Sequence, residues 1–322
     1  MTKEQINEMI GLYGLVPVIK LEDAKDAVPL AKALEKGGLP IAEITFRTAA
    51  AEESIRRVSS ECPNVLVGAG TVLTPEQAQK AMDAGAKFIV TPGFNPRVVG
   101  YCVEHNIPII PGVNSPGTIE QALEFGLTTL KFFPAEASGG LNALKAMAAP
   151  YGMVNFVPTG GIDTKNLASY LAFDKILACG GSFMVNDEMI KKGDFDGITT
   201  LTKAAMKAVM GFEFAHMGIN FTNKNDCLAA TKLLCSLFDL EIKEGNSSNF
   251  AGAGIELMNE NGLGTHGHIG IRTSSIPRAR AYFERMGLKF NDSSIKKDAK
   301  GKITVVYLQD EIGGFGVHLL QR

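Results

Sequence analysis

Hydrophobic positions in roughly the first 210 residues arrive in short, nearly unbroken runs: GLVPVIK from Gly14, IAEITFR from Ile41, VLVGAGT from Val65, KFIVTP from Lys87, IPIIPGV from Ile107, TLKFFP from Thr129, MVNFVPTGG from Met153 and KILACGG from Lys175. Apolar residues at consecutive positions mark strands buried on both faces. Between the runs lie stretches such as EDAKDAVPLAKALEKGG and TPEQAQKAMDAGA, with Ala and Leu at helical spacing and Asp, Thr or Pro at their starts. Eight strands alternating with helices over about 200 residues predict an α/β fold, a (β/α)8 TIM barrel. An open doubly wound sheet is the alternative, but it has no usual need of eight similar units. Lys3 to Leu12 predicts a helix closing the barrel bottom, and Phe195 to Met210 a last helix stopped by Gly211.

The texture then changes. Residues 212–322 mix period-two strands with only two helical stretches, which predicts a smaller α+β domain after a barrel spanning residues 1–211. This second part repeats itself. HMGIN from His216 is echoed by HIGIR from His268, and GAGIELM from Gly252 by GFGVHLL from Gly314. The helical stretches between end alike, in Phe238-Asp239-Leu240 and Met286-Gly287-Leu288. A duplicated strand–helix–strand module is the simplest source of such pairs.

Composition adds constraints. Apolar residues make up 45% of the 322 residues and charged residues 20%, with a net charge of −2. That balance gives no electrostatic reason to expect nucleic acid. The Lys296, Lys297, Lys300, Lys302 group lies among acidic residues and reads as a solvated turn. Five scattered cysteines without a CxxC pair fit reduced thiols and a cytoplasmic location. No signal-like or membrane-length apolar run is present.

Barrel enzymes place their chemistry at the C-terminal strand ends. There the chain carries Glu43, Arg47, Thr71, Pro92, Asn114, Ser115, Lys131, Thr159 and two glycine pairs, Gly160-Gly161 and Gly180-Gly181, the second followed by Ser182. Lys131 sits among Leu130, Phe132 and Phe133, and alternation turns it inward with Thr129 and Phe133. An amine in an apolar setting sheds its proton more readily, and the neutral amine attacks carbonyls. The competing reading is a structural ion pair with Glu43 or Glu136. Glu43 faces inward by the same alternation, so pairing with Lys131 would make it a general base. Arg47 suits a substrate carboxylate, or a rim salt bridge. The glycine pairs precede helices predicted near Asp163 and Phe183, an arrangement that cradles phosphate.

EITFRT, VGAGTVL, KFFPAEA, PTGGI and GGSFMV, in this order from Val16 to Met210, resemble the signature segments of the 2-keto-3-deoxy-6-phosphogluconate aldolases, a family that also acts on 4-hydroxy-2-oxoglutarate. The resemblance implies that Lys131 forms a Schiff base with a phosphorylated keto acid and that Glu43 moves protons. It implies that Arg47, Thr71 and Pro92 hold the pyruvate half, and that Thr159 sits beside the substrate hydroxyl. Gly160, Gly161, Gly181 and Ser182 would hold the phosphate. It also implies a homotrimer needing no cofactor. Phe46 and Phe183 stand where Leu and Trp are expected. Epimerisation of a sugar phosphate and non-catalytic sugar-phosphate binding are rival readings, and both predict that no covalent adduct forms on Lys131.

In the second part the repeat pairs His216 with His268, and Glu256 with His318. Three His and one Glu suit a divalent ion such as zinc, nickel, iron or manganese. This half resembles the vicinal oxygen chelate superfamily, in which paired βαβββ modules supply such ligands. His318 stands where a second Glu is expected, and His266 is expected in a loop, away from the ligands. A purely structural or docking module, without metal, is the alternative.

Overall fold

The computed structural model describes residues 1–322, which form two compact units, Met1–Val209 and Met210–Arg322. The first is a mixed α/β unit. Its strands are β1 (Leu15–Ile19), β2 (Ile41–Thr45), β3 (Leu66–Gly70), β4 (Ile89–Val90), β5 (Ile109–Ile110), β6 (Gly112–Val113), β7 (Thr129–Phe132), β8 (Asn155–Pro158) and β9 (Cys179–Gly181). All pair in parallel, as a six-stranded sheet ordered β5-β4-β3-β2-β1-β9 and a three-stranded sheet ordered β6-β7-β8. The run from Ile107, expected as one strand, is split at Pro111, which has no N–H to give a ladder. The Pro111 carbonyl still accepts from Lys131 N–H at 2.9 Å. Isolated parallel bridges, Phe156 to Ile176 and Thr159 to Gly180, join the β8 side to the β9 side.

Local chemistry explains the helices. Thr74, Asn95 and Ser115 each cap a helix whose first residue is Pro75, Pro96 or Pro116, so an orphan donor is satisfied and φ is preset. The helix Ala51–Glu61 buries Ala51, Ser54, Ile55 and Val58, one stripe at helical spacing, and turns its charges outward. The N-terminal helix, Lys3–Tyr13, ends at Gly14 in the left-handed region. Strands β2 and β3 are buried at every position.

Two predicted helix starts need correction. After Gly161 the chain does not enter a helix at Asp163. The Asp163 carboxylate accepts from Lys165 N–H at 2.7 Å, and Asn166 Oδ1 accepts from Asp163 N–H at 3.0 Å. These bonds hold a turn, and the helix begins only at Leu167 and ends at Leu171. After Gly181 the next helix is Asp187–Lys192, capped by Asn186, rather than one at Phe183.

The second unit is one eight-stranded sheet flanked by two helices, Lys224–Phe238 and Ile276–Arg285. Its strands are β10 (Glu213–Asn220), β11 (Ile242–Glu244), β12 (Ser248–Ala251), β13 (Ile255–Met258), β14 (Gly267–Thr273), β15 (Phe290–Lys297), β16 (Ile303–Leu308) and β17 (Phe315–Gln321). The order is β11-β12-β13-β10-β14-β17-β16-β15. It reads symmetrically outward from the antiparallel β10–β14 pair, which is what two copies of a strand–helix–three-strand module give. Lys296 and Lys297 end strand β15, outside the turn expected there, and Asp298 organises the turn that follows by accepting from Lys300 and Lys302 N–H. No disulfide joins any of the five cysteines. No helix is long and apolar enough to cross a membrane.

Candidate active site

Registers bring the inward residues of neighbouring strands level. Glu43 on β2 stands beside Val18 and Gly68; Lys131 on β7 stands beside Gly112 and Val157. The two side chains meet across the interior: Lys131 Nζ donates to Glu43 Oε1 at 3.3 Å, with only 6% and 4% of the side chains exposed. Such a pair, removed from water, is costly to assemble and costly to break from one side. The Phe133 ring covers the amine at 5.4 Å.

Glycines make the space. A Cβ on Gly70 would press on the Glu43 carboxylate, and one on Gly112 would strike the Pro92 carbonyl and Gly93 backbone. A Cβ on Gly180 would meet the buried Thr159 side chain. At the rim, Thr45 Oγ1 donates to the Ile19 carbonyl at 2.7 Å and accepts from Arg47 Nε at 3.0 Å, which orients an otherwise exposed guanidinium. Thr71 follows β3 with φ 55°, an uncommon conformation for a residue with a branched side chain. Gly160 and Gly161 have φ 100° and 78°, which explains two glycines in succession.

The surroundings of that turn decide between the two carboxylates open to Lys131. Glu136, considered as a partner of Lys131, accepts instead from the Tyr170 hydroxyl. Its backbone N–H donates to the Gly160 carbonyl at 3.1 Å, and Ala135 N–H to the Thr159 carbonyl at 2.8 Å. Its side chain lies against Gly161, where a Cβ would come within 2.6 Å of Glu136 Cβ. Ser115, noted among the rim residues, is occupied as a helix cap.

The family model for KDPG and KHG aldolases matches residues 6–201. The chain belongs to that family. The 2-dehydro-3-deoxy-phosphogluconate aldolase of Treponema pallidum is 54% identical over 204 residues, 63% of this chain and 97% of that one. The KHG/KDPG aldolase of Escherichia coli K12 is 42% identical over 64% of this chain and 96% of its own length. Among solved structures, the KDPG aldolase of Legionella pneumophila, with pyruvate captured as a covalent carbinolamine, has TM-score 0.60 and 38% identity, covering 62% of this chain and 97% of that one. The Zymomonas mobilis enzyme with 3-phosphoglycerate has TM-score 0.61 and 40% identity, covering 64% and 96%.

The unit beyond the aldolase has its own cluster of polar groups. His216 on β10, Glu256 on β13, His268 on β14 and His318 on β17 lie on four adjacent strands. His268 Nε2 is 3.1 Å from both His216 Nε2 and Glu256 Oε2, and His216 Nε2 is 3.2 Å from that same oxygen. Ligand atoms of the three histidines fall within 4.8 Å of one another. Both ring nitrogens of His318 are buried without a hydrogen-bond partner. Burial, with His268 and His216 beside it, pushes its pKa down to about 3, so the ring is neutral. Burial works against the charge of Glu256, but bonds from His268 and from Ser248 Oγ, 2.6 Å away, outweigh it and hold the carboxyl at about 2. Gly218 and Gly270 admit the rings, since a Cβ on Gly270 would lie 2.7 Å from both His216 Cε1 and His318 Nε2. His266 stays in a loop, its N–H on the Gly314 carbonyl.

Proposed function

We propose that the first unit is a Schiff-base aldolase cleaving 2-dehydro-3-deoxy-6-phosphogluconate to pyruvate and glyceraldehyde 3-phosphate. The buried Lys131–Glu43 pair carries this reading. Its nine strand segments act as an eight-stranded (β/α)8 barrel, with β5 and β6 as one strand interrupted at Pro111, and three copies assemble into a homotrimer. Lys131 Nζ adds to the C2 ketone and, with loss of water, gives an iminium. The C3–C4 bond then breaks with its electron pair stored as an enamine. Glu43, through a water, accepts the C4 hydroxyl proton as the aldehyde forms. Protonation of the enamine at C3 and hydrolysis release pyruvate and restore the amine. No metal or cofactor enters these steps.

Arg47 grips the substrate carboxylate, with Thr71 and Pro92 lining the pyruvate end. Thr159 faces the substrate hydroxyl and sets stereochemical preference. Backbone N–H groups at Gly160, Gly161 and Gly181, with Ser182, hold the phosphate, so that binding at the remote end positions the reacting carbons. The helices past these turns are five and six residues long, so the turns do the binding rather than helix termini. Turnover of 2-dehydro-3-deoxy-6-phosphogluconate well above that of 4-hydroxy-2-oxoglutarate is expected. The reverse preference would make the second compound the substrate, and no turnover of either would leave the epimerase or binding-barrel readings.

The second unit resembles a vicinal oxygen chelate module, and we propose that His216, Glu256, His268 and His318 hold one divalent transition metal there. Tetrahedral ligands at metal–nitrogen distances of about 2.0–2.1 Å stand about 3.3 Å apart. The separations of 3.1 to 3.2 Å among His216, His268 and Glu256, and the unpartnered His318 nitrogens, fit that geometry. When bound, such an ion supplies Lewis acidity. Metal content of the whole chain, and of His216→Ala and His268→Ala variants, tests this; no metal in any of them would leave a structural or docking module.

A further inference from the structure

We propose that Thr45 is a positioning residue for the carboxylate grip: its hydroxyl occupies Arg47 Nε and so leaves the Nη1–Nη2 edge of the guanidinium to receive the keto acid. The inference rests on the reading of Arg47 as the group that holds the substrate carboxylate. Thr45 shares the inward face of β2 with Ile41 and Glu43, two residues beyond Glu43 at the C-terminal end of the strand. It is 1% exposed, so its hydroxyl must find partners within the protein. A hydroxyl has a single proton, and Thr45 donates it to the carbonyl of Ile19, the last residue of β1, at 2.7 Å. Its oxygen is then left as an acceptor, and Arg47 Nε fills that role at 3.0 Å.

A guanidinium can meet a carboxylate with two parallel bonds along either of two edges, Nε with one Nη or the two Nη groups together. With Nε taken by Thr45, only the second edge offers both bonds. No acidic side chain of the chain pairs with Arg47, so that edge has no internal competitor. The backbone around Arg47 is fixed as well. Phe46 N–H donates to the Gly70 carbonyl at 2.8 Å, and Thr48 Oγ1 donates to the Leu21 carbonyl at 2.5 Å. The segment from Thr45 to Thr48 is thereby tied to the end of β3 on one side and to the chain leaving β1 on the other. Within it, the bond from Thr45 is the one that acts on the guanidinium itself. An arginine at a rim otherwise samples many rotamers, and ordering it before the substrate arrives lowers the entropy lost on binding.

The test reads Schiff-base trapping by borohydride in the full chain, with pyruvate as the ketone that carries a carboxylate and acetone as the ketone that lacks one. Thr45→Val keeps nearly the same shape and removes the hydroxyl. Its pyruvate concentration for half-maximal trapping should rise roughly tenfold, the worth of one hydrogen bond to a charged group, while trapping by acetone keeps the wild-type rate. Thr45→Ser, which retains the hydroxyl, should bring pyruvate half-saturation back. Arg47→Met should weaken pyruvate at least as much as Thr45→Val does, and combining the two should add nothing further, because they act as one unit. Pyruvate half-saturation unaltered in Thr45→Val would overturn the proposal. Equal losses with pyruvate and acetone, or additive losses in the double variant, would do the same. Pyruvate half-saturation unaltered in Arg47→Met would overturn the underlying reading of Arg47 as well.

Discussion

Gly70→Ala isolates the placement of Glu43. Gly70 ends β3, level with Thr45 in the β2–β3 ladder, and its φ is not in the left-handed region, so alanine suits the backbone. The added methyl would lie 2.8 Å from Glu43 Cγ and 2.9 Å from Cδ, whereas ordinary contact begins at 3.4 Å. The carboxylate must therefore shift by on the order of 0.5–1 Å, and a catalytic group misplaced by about 1 Å loses roughly 100-fold in rate. The same shift breaks the 3.3 Å bond to Lys131. Overpacking of this kind costs about 1–3 kcal/mol, and each kcal/mol lowers the midpoint by roughly 2–4 °C in a unit of this size. Pyruvate release coupled to lactate dehydrogenase gives kcat, and calorimetry gives Tm. Gly68→Ala is the control, because the atoms nearest its methyl would be those of the Phe88 ring, Cε1 and Cε2 at 2.5 Å, whereas those nearest a Gly70 methyl belong to Glu43. It should lower Tm while sparing kcat. A Gly70→Ala enzyme with near-wild-type kcat would refute the reasoning, and equal kcat losses in both variants would trace the effect to general packing.

Glu136→Ala and Tyr170→Phe should loosen the Gly160–Gly161 turn and raise KM for the phosphorylated substrate about tenfold, equivalent to about 1.4 kcal/mol. Their KM for 4-hydroxy-2-oxoglutarate should not move; steady-state kinetics on both substrates checks this. Thr159→Val should cut the preference between substrates epimeric at C4 by roughly fivefold, the worth of one hydrogen bond of about 1 kcal/mol, read as a ratio of kcat/KM values. Exhaustive chelation should leave aldolase turnover unchanged while lowering the calorimetric transition of residues 210–322, since an ion bound only to the folded state stabilises it; loss of turnover would contradict the metal-free mechanism.

Alternation within two short runs was enough to pair Lys131 with Glu43, 88 residues apart, because strands buried on both faces leave few places for a charge. The repeat likewise foretold which four residues would converge in the second unit, though not that both modules would share one continuous sheet. Other features depend on neighbours that no local pattern displays. Gly70 and Gly180 look like punctuation until the side chains they make room for, Glu43 and Thr159, are in place. The left-handed Thr71 carries no signal in a residue type that seldom adopts it. Helices were expected directly after the glycine pairs, near Asp163 and Phe183. The Asp163 carboxylate instead accepts from Lys165 N–H, in a turn that defers the helix to Leu167. Glu136 sits in a motif rich in candidate chemistry, and only the fold shows Tyr170, from a later helix, taking its carboxylate.

The central claim is that Lys131 is the nucleophile. Borohydride reduction of the whole chain in the presence of pyruvate, followed by peptide mass spectrometry, tests it most directly. The account predicts one stable pyruvate-derived adduct, on the peptide bearing Lys131, and none in Lys131→Met. An adduct on another lysine, or none on the wild-type chain under conditions where it turns over substrate, would contradict it.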